Sequence, residues 1–266
     1  MSLKHDQEYI KILLTPLAEC THYRPAFGQA GGEGIDLPQF QALYGGDPLY
    51  HWIGLDSDLM YAAHKAAGGM TSIYRQLGIG CERLLRQVIQ DHLGLSNEQV
   101  AWSYKYDKGN GQMAAHTLDA RIEIADVADP ARKKIVKAWI KKAALELGLA
   151  SSTAATLAGA AFEIRQGYKS ADSKRQNADL RFGLRAYTDV NLLPIICIVS
   201  TQASDTVCRR YRDARLLVLL GTTEGDLSTF VFFRDVIGYD LAQFFQRNTV
   251  HIRKQFTAII KQLLSP

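Results

Sequence analysis

Acidic, basic and apolar side chains alternate along one short stretch in the middle of the chain. Because successive side chains of a β-strand point to opposite faces, Phe162 and Ile164 are expected on one face of a half-buried strand. Glu163 and Arg165 share the other face, together with Lys169 if no bulge intervenes. A carboxylate and cations on one face are costly to bury unless they pair or hold a metal ion. The stretch therefore predicts either a structural ion pair at a sheet edge or a metal-assisted site.

Three further charged residues lie in predicted elements that neighbour this strand. Asp119 falls on the polar face of another predicted strand. Glu82 follows Gly78 and Gly80 in a predicted helix, where such glycines permit close packing against another backbone. Lys174 lies at the start of a strongly charged helix. The candidate site residues are therefore Asp119, Glu163, Arg165, Lys169, Glu82 and Lys174.

The elements that must position these residues begin at residue 71. Their patterns predict a helix over 71–94, strands over 100–104, 116–124 and 160–169, a helix from 172 and a strand over 194–200. A basic helix that opens at Asp129-Pro130 is inserted before the third strand. Without this insert the order is α-β-β-β-α-β. The predicted fold class is therefore α/β, with a mixed (α+β) sheet.

The segments on either side of this core are predicted to be mainly helical. Residues 1–70 contain a Gly-rich loop and a helix that Gly68-Gly69 ends. Residues 221–266 contain a predicted strand, 228–233, and a long amphipathic helix, 241–264. We predict a single domain over residues 1–266, whose catalytic core spans residues 71–220.

Bulk composition is that of a globular protein of 266 residues, 47% of them hydrophobic. The net charge of +4 permits a polyanionic partner without requiring one. The four cysteines form no CxxC pair, so we expect reduced core thiols rather than disulfides or a zinc site. No apolar run approaches the roughly 20 residues of a membrane span. These features predict a soluble cytoplasmic protein.

The order of elements, with an acid on the second strand and an acid-x-cation pair on the third, resembles the PD-(D/E)XK nuclease core. The resemblance covers about residues 70–220 and is closest to type II restriction endonucleases of the ApaLI-like group. The runs that carry it are Phe162-Glu163-Ile164-Arg165-Gln166-Gly167-Tyr168-Lys169, Asp172-Ser173-Lys174-Arg175-Gln176-Asn177-Ala178-Asp179 and Gly78-Ile79-Gly80-Cys81-Glu82-Arg83.

The resemblance implies a prokaryotic, Mg²⁺-dependent endonuclease that cuts duplex DNA at a short palindromic site as a homodimer. Asp119 and Glu163 would hold the metal ion, which polarises the phosphate and acidifies a bound water. Glu82 matches the position of a supporting acid. The sequence departs from the pattern at Leu118, where the family has proline, and at Arg165, where it has lysine. Because arginine stays protonated, it would be a poor base. The lysine role is left to Lys169 or Lys174, or Gln166 faces the metal ion if the strand is bulged.

Two other functions fit the same sequence. A non-catalytic nucleic-acid-binding protein would use the basic helix 132–142 and the arginine cluster 209–215. A nuclease of repair or recombination would share the chemistry without the palindromic site. Base-reading residues are sought in three polar loops, namely 28–34, 105–112 and 201–206.

Overall fold

The computed structural model describes residues 3–28, 34–107, 109, 111–167 and 173–265. The chain forms two compact units. One comprises residues 1–80 and 247–266, and the other comprises residues 81–246. The predicted division into residues 1–70, 71–220 and 221–266 has different bounds and stays a prediction.

The first unit consists of helices. It contains α1 (Leu3–Ala18), a 3₁₀ turn (Glu19–His22), α2 (Leu37–Gly45), α3 (Pro48–Trp52) and parts of α4 (Asp58–Leu93) and α11 (Leu241–Leu264). Its core is a small apolar cluster formed by Leu17, Cys20, Ile73, Ile259 and Leu263. The predicted bounds of the last helix, 241–264, match α11.

The predicted break at Gly68-Gly69 is wrong, because α4 runs unbroken through both glycines. A Cβ at Gly68 would collide with the side chain of Tyr23, and a Cβ at Gly69 would collide with Leu263. The two glycines therefore make room for neighbouring side chains. This packing outweighs the roughly 1 kcal/mol that each glycine costs a helix.

The second unit contains a four-stranded mixed sheet, so the α/β class with a mixed sheet is confirmed. The strands are β3 (Ala120–Glu123), β4 (Gly159–Arg165), β5 (Leu192–Ile198) and β6 (Leu217–Leu219) in that spatial order. β3 is antiparallel to β4, whereas β4, β5 and β6 are parallel. A separate antiparallel hairpin is formed by β1 (Ser103–Asp107) and β2 (Met113–Thr117).

Helices connect and cover these strands. They are α5 (Asn97–Val100), α6 (Pro130–Glu146), α7 (Ser151–Thr156), α8 (Ser173–Val190), α9 (Asp205–Asp213) and α10 (Thr229–Val231), followed by a π-helical turn (Phe232–Ile237). The predicted strand 228–233 is wrong. The side chain of Ser228 caps a helix by accepting from the backbone N–H of Val231, and burial then follows a helical spacing at Phe232, Phe233, Val236 and Ile237.

Two other expectations about strands need correction. The second predicted strand, 116–124, is interrupted at Leu118-Asp119 and forms the separate strands β2 and β3. The third predicted strand ends at Arg165 in β4 rather than continuing to Lys169, which lies outside the described residues. β4 is an inner strand between β3 and β5, and its successive side chains are buried on both faces instead of one. Its charged residues therefore lie inside the protein and not at a sheet edge.

The expectation of reduced core cysteines is confirmed, since all four are buried and unpaired. Across the described parts of the chain, no helix combines the length and the apolar character that crossing a bilayer requires.

Two glycines of α4, Gly78 and Gly80, provide a matched test of this packing. A Cβ at Gly80 would collide with the backbone carbonyl of Leu13 in α1, whereas a Cβ at Gly78 meets nothing within 4 Å. We expect Gly80→Ala to lower the free energy of unfolding by about 1–3 kcal/mol through overpacking. Gly78→Ala should raise it by about 0.5–1 kcal/mol because alanine favours the helix. Urea unfolding measures both, and equal effects at the two positions would contradict the close approach of α1.

Candidate functional site

Three carboxylates converge on the guanidinium group of Arg165. Its Nη2 lies 2.8 Å from Oε2 of Glu163 and 2.9 Å from Oδ1 of Asp179. Its Nη1 lies 3.6 Å from Oδ2 of Asp119. All three acids are buried, with exposed fractions of 8% for Asp119, 2% for Glu163 and 0% for Asp179. One arginine thus lies at the centre of a buried cluster of acids.

The sheet register explains how these residues meet. Glu163 and Arg165 are two residues apart in β4, so their side chains share one face. Asp119 immediately precedes β3, whose first residue, Ala120, pairs with Phe162 of β4. Oδ2 of Asp119 therefore reaches the backbone N–H of Ile164 and accepts a hydrogen bond of 2.6 Å from it.

Asp179 enters the cluster from α8, the helix that follows β4. It lies on one helical stripe with Phe182 and Ala186, both of which are fully buried. The hydroxyl of Tyr211 in α9 donates a hydrogen bond of 2.7 Å to Oδ2 of Asp179, while Oδ1 faces Arg165. Both oxygens of this buried acid are thus held in place.

A second set of polar residues surrounds the cluster. Nε2 of His116 in β2 lies 2.8 Å from Oε1 of Glu163, and Nδ1 of the same ring lies 2.8 Å from the hydroxyl of Tyr104 in β1. Arg86 of α4 donates from Nε to the backbone carbonyl of Asp119 and from Nη2 to Oε1 of Glu82. The hairpin and α4 therefore both contribute to the site.

The pKa values of the acids reflect their surroundings. Burial, together with the negative charges of Glu163 and Glu82, raises the pKa of Asp119 well above its ordinary value, although Arg165 opposes this. Burial also raises the pKa of Glu163, but Arg165 and His116 outweigh it and leave the pKa below its ordinary value. Burial, opposed by Arg165, leaves the pKa of Asp179 raised. Three acids thus share one guanidinium, and the raised pKa values of Asp119 and Asp179 favour their neutral, protonated forms.

One oxygen of the cluster, Oε1 of Glu163, is buried and accepts no hydrogen bond from the described residues. His116 lies within ion-pair distance of it but does not direct an N–H at it with hydrogen-bond geometry. No group of three or more His, Cys, Asp or Glu side chains in the described ranges is arranged around a common metal position. Mg²⁺ is usually bound by one or two carboxylates plus waters and phosphate oxygens. The two carboxylates beside Arg165, Glu163 and Asp119, match that number of protein ligands.

The structure brings together four of the six residues that the sequence singles out. Glu163 and Asp119 both contact Arg165, and Glu82 joins them through Arg86. Lys174 lies in the first turn of α8 with its side chain exposed. The sixth, Lys169, falls outside the described residues. The catalytic roles of all six stay predictions.

Sequence reasoning missed Asp179, His116 and Tyr104. The signal for Asp179 is an acid on the core-facing stripe of α8, three and seven residues before Phe182 and Ala186. The signal for His116 is its pairing with Tyr104 across the hairpin, which depends on a register that the sequence leaves open.

Searches against protein-family models, curated proteins and solved structures found no match to this chain.

The central position of Arg165 predicts a large effect on stability. Arg165→Met should lower the free energy of unfolding by about 3–5 kcal/mol, because it leaves buried carboxylates without their cation. Urea unfolding followed by tryptophan fluorescence measures the loss. The matched control is Arg185→Met, which removes an exposed arginine of α8 that lies 3.4 Å from Asp189 and should cost less than about 1 kcal/mol. Equal losses at the two positions would contradict a buried network centred on Arg165.

Proposed function

We propose that this chain is a Mg²⁺-dependent endodeoxyribonuclease that hydrolyses phosphodiester bonds of duplex DNA at a short site. The observation that carries the proposal is a pair of buried carboxylates, Asp119 and Glu163, that both lie against the guanidinium group of Arg165. Perturbed, buried acids of this kind are typical of functional sites.

The arrangement of elements also supports a restriction-endonuclease-like core. If β2 and β3 are counted as one interrupted strand, the order α4, β1, β2/β3, β4, α8, β5 corresponds to α-β-β-β-α-β. The helices α6 and α7 are then an insert between the second and third strands. We propose this core as the finer description of the observed α/β fold.

Asp119 and Glu163 would hold the Mg²⁺ ion. When bound, the ion polarises a phosphate oxygen and lowers the pKa of a coordinated water. Arg165 keeps its positive charge, because the three acids raise its pKa against the effect of burial. It therefore orients Glu163 and Asp119 and offsets their repulsion, and it does not accept a proton. The proposed lysine role of the family pattern is left to Lys169 or Lys174.

Three cations of the basic segments make contacts inside the second unit. In α6, Arg132 donates to the backbone carbonyls of Asp235 and Val236, and Lys133 donates to that of Ala125. In α9, Arg210 donates to the side chains of Gln176 and Asn177. These cations hold the second unit together, so fewer are left to follow a phosphate backbone.

A palindromic site further implies a homodimer, since two-fold symmetry in DNA is matched by two-fold symmetry in the protein. We propose the prokaryotic cytoplasm as its location. A nuclease of repair or recombination would use the same acids, but it would not produce one fixed set of fragments from a long duplex.

The test is cleavage of unmethylated, phage-length duplex DNA with Mg²⁺. Discrete fragments are expected from the wild-type chain. Glu163→Gln and Asp119→Asn should each lower the cleavage rate at least about 100-fold, because each replaces a charged metal ligand by a neutral amide. Glu146→Gln, on the exposed surface of α6, is the matched control and should cleave like the wild type.

Two readouts separate chemistry from binding and folding. Ca²⁺ in place of Mg²⁺ should abolish cleavage while a gel shift with duplex DNA persists. Melting temperatures of the variants show whether a loss of cleavage reflects unfolding. Intact DNA under all conditions with a retained gel shift would instead favour the non-catalytic binder. Random degradation would favour the repair or recombination nuclease.

A further inference from the structure

A cluster of large apolar side chains is exposed on the first unit, away from the acid cluster in sequence. It comprises α2, α3 and the start of α4, and we call it the apolar patch; its members are Leu43, Leu49, Tyr50, Trp52, Ile53 and Leu59. Leu59 is 81% exposed, Trp52 is 78% exposed and Ile53 is 60% exposed. Contiguous exposed apolar residues on this scale mark an interaction surface.

Specific contacts join the elements of the apolar patch into one surface. The rings of Tyr44 in α2 and Tyr50 in α3 lie 4.9 Å apart. Gln41 of α2 donates a hydrogen bond of 2.7 Å to Asp58 at the start of α4. His51 lies 2.7 Å from Asp56 in the connecting turn. The exposed side chains therefore project from a joined scaffold.

The charge of the apolar patch limits what can bind it. No lysine or arginine occurs between Arg24 and Lys65, whereas Asp47, Asp56 and Asp58 lie among the patch residues. Phosphate backbones and anionic lipid surfaces are repelled by such a surface. The occupant must instead combine apolar side chains with positive charge.

The exposed face of α11 in the same unit has that composition. It carries Val250, Lys254, Lys261 and Leu264 at helical spacing, and Val250 is 82% exposed. No acidic residue occurs from residue 241 to the end of the chain. This face is thus basic where the apolar patch is acidic, and each of the two has exposed apolar side chains to bury.

We propose that two copies of this chain associate through a two-fold axis, with the apolar patch of each copy covering the basic face of α11 of the other. Two-fold symmetry produces this crossed contact twice, because residue i meets residue j and j meets i. Together the two surfaces of one copy contain eight large apolar side chains exposed at 38% or more. Aromatic side chains alone offer about 150–250 Å² each. The total is of the order of the 800 Å² per partner that a stable interface buries.

The oligomeric state tests the proposal without reference to nuclease activity. Light scattering coupled to size-exclusion chromatography at about 20 µM should give twice the 29.6 kDa mass of one chain. One double variant, Trp52→Asp with Leu59→Asp, damages the apolar patch. A second, Lys254→Glu with Lys261→Glu, reverses the charge of α11. Each should weaken the dimer at least tenfold. The matched control is Leu184→Asp, a single exposed leucine of α8 that is 63% exposed, and it should remain dimeric.

Mixing the two damaged chains tests the crossed arrangement. The α11-damaged chain keeps an intact patch, and the patch-damaged chain keeps an intact α11. Their mixture should therefore form a heterodimer through one of the two contacts, although each chain alone is monomeric. A monomeric wild type, or a dimer that survives the patch substitutions, would overturn the proposal. Failure of the mixture to associate would overturn the crossed contact in favour of a patch-to-patch one. Circular dichroism of each variant excludes misfolding as the cause of dissociation.

Discussion

The second unit depends on the burial of Arg165 among three carboxylates. Moving a charged group from water into a protein interior costs several kcal/mol, and this cost is offset only by partners at hydrogen-bond distance. Glu163 and Asp179 supply such partners at 2.8 and 2.9 Å. They belong to the central strand and to the helix after it, so the charge network and the fold stabilise each other.

Close backbone approaches bring the acids to this position. A Cβ at Gly159, the first residue of β4, would collide with the carbonyl of Ile122 in β3. The glycine therefore permits the close β3–β4 pairing that places Asp119 beside Ile164. Gly80 serves α1 and α4 of the first unit in the same way. Glycine at these points lowers the intrinsic helix or strand propensity, but it allows two backbones to come into contact.

The sequence predicts the elements with strong periodicity well. The basic helix α6, the buried strand β5 and the long helix α11 were all expected, because their apolar spacing is regular and their ends carry Asp-Pro or polar signals. Prediction from the sequence fails where tertiary packing overrides the local preference of a residue. Gly68-Gly69 are accommodated inside a helix, and the aromatic run at 230–233 becomes helical because a serine cap and a compact core favour it.

The same distinction between local pattern and tertiary packing applies to the residues of the site. Glu163 and Arg165 are two residues apart in one strand, so their proximity follows from strand geometry alone. The positions of Asp179 and His116 depend on how α8 and the hairpin pack, which residue spacing does not specify. A half-buried strand is expected from the sequence, whereas β4 is buried on both faces, and burial is the main cause of the raised pKa of Asp119.

The charge balance of the cluster bears on whether it serves stability alone. A buried ion pair kept for stability is best balanced, because every uncompensated charge in the interior weakens the fold. Here three acids face one arginine, and His116 lies 2.8 Å from the second carboxylate oxygen of Glu163. Proteins depart from such local rules chiefly where function requires it. The crowding of three acids around one guanidinium is therefore the physical argument for the Mg²⁺ ion that we propose at this cluster.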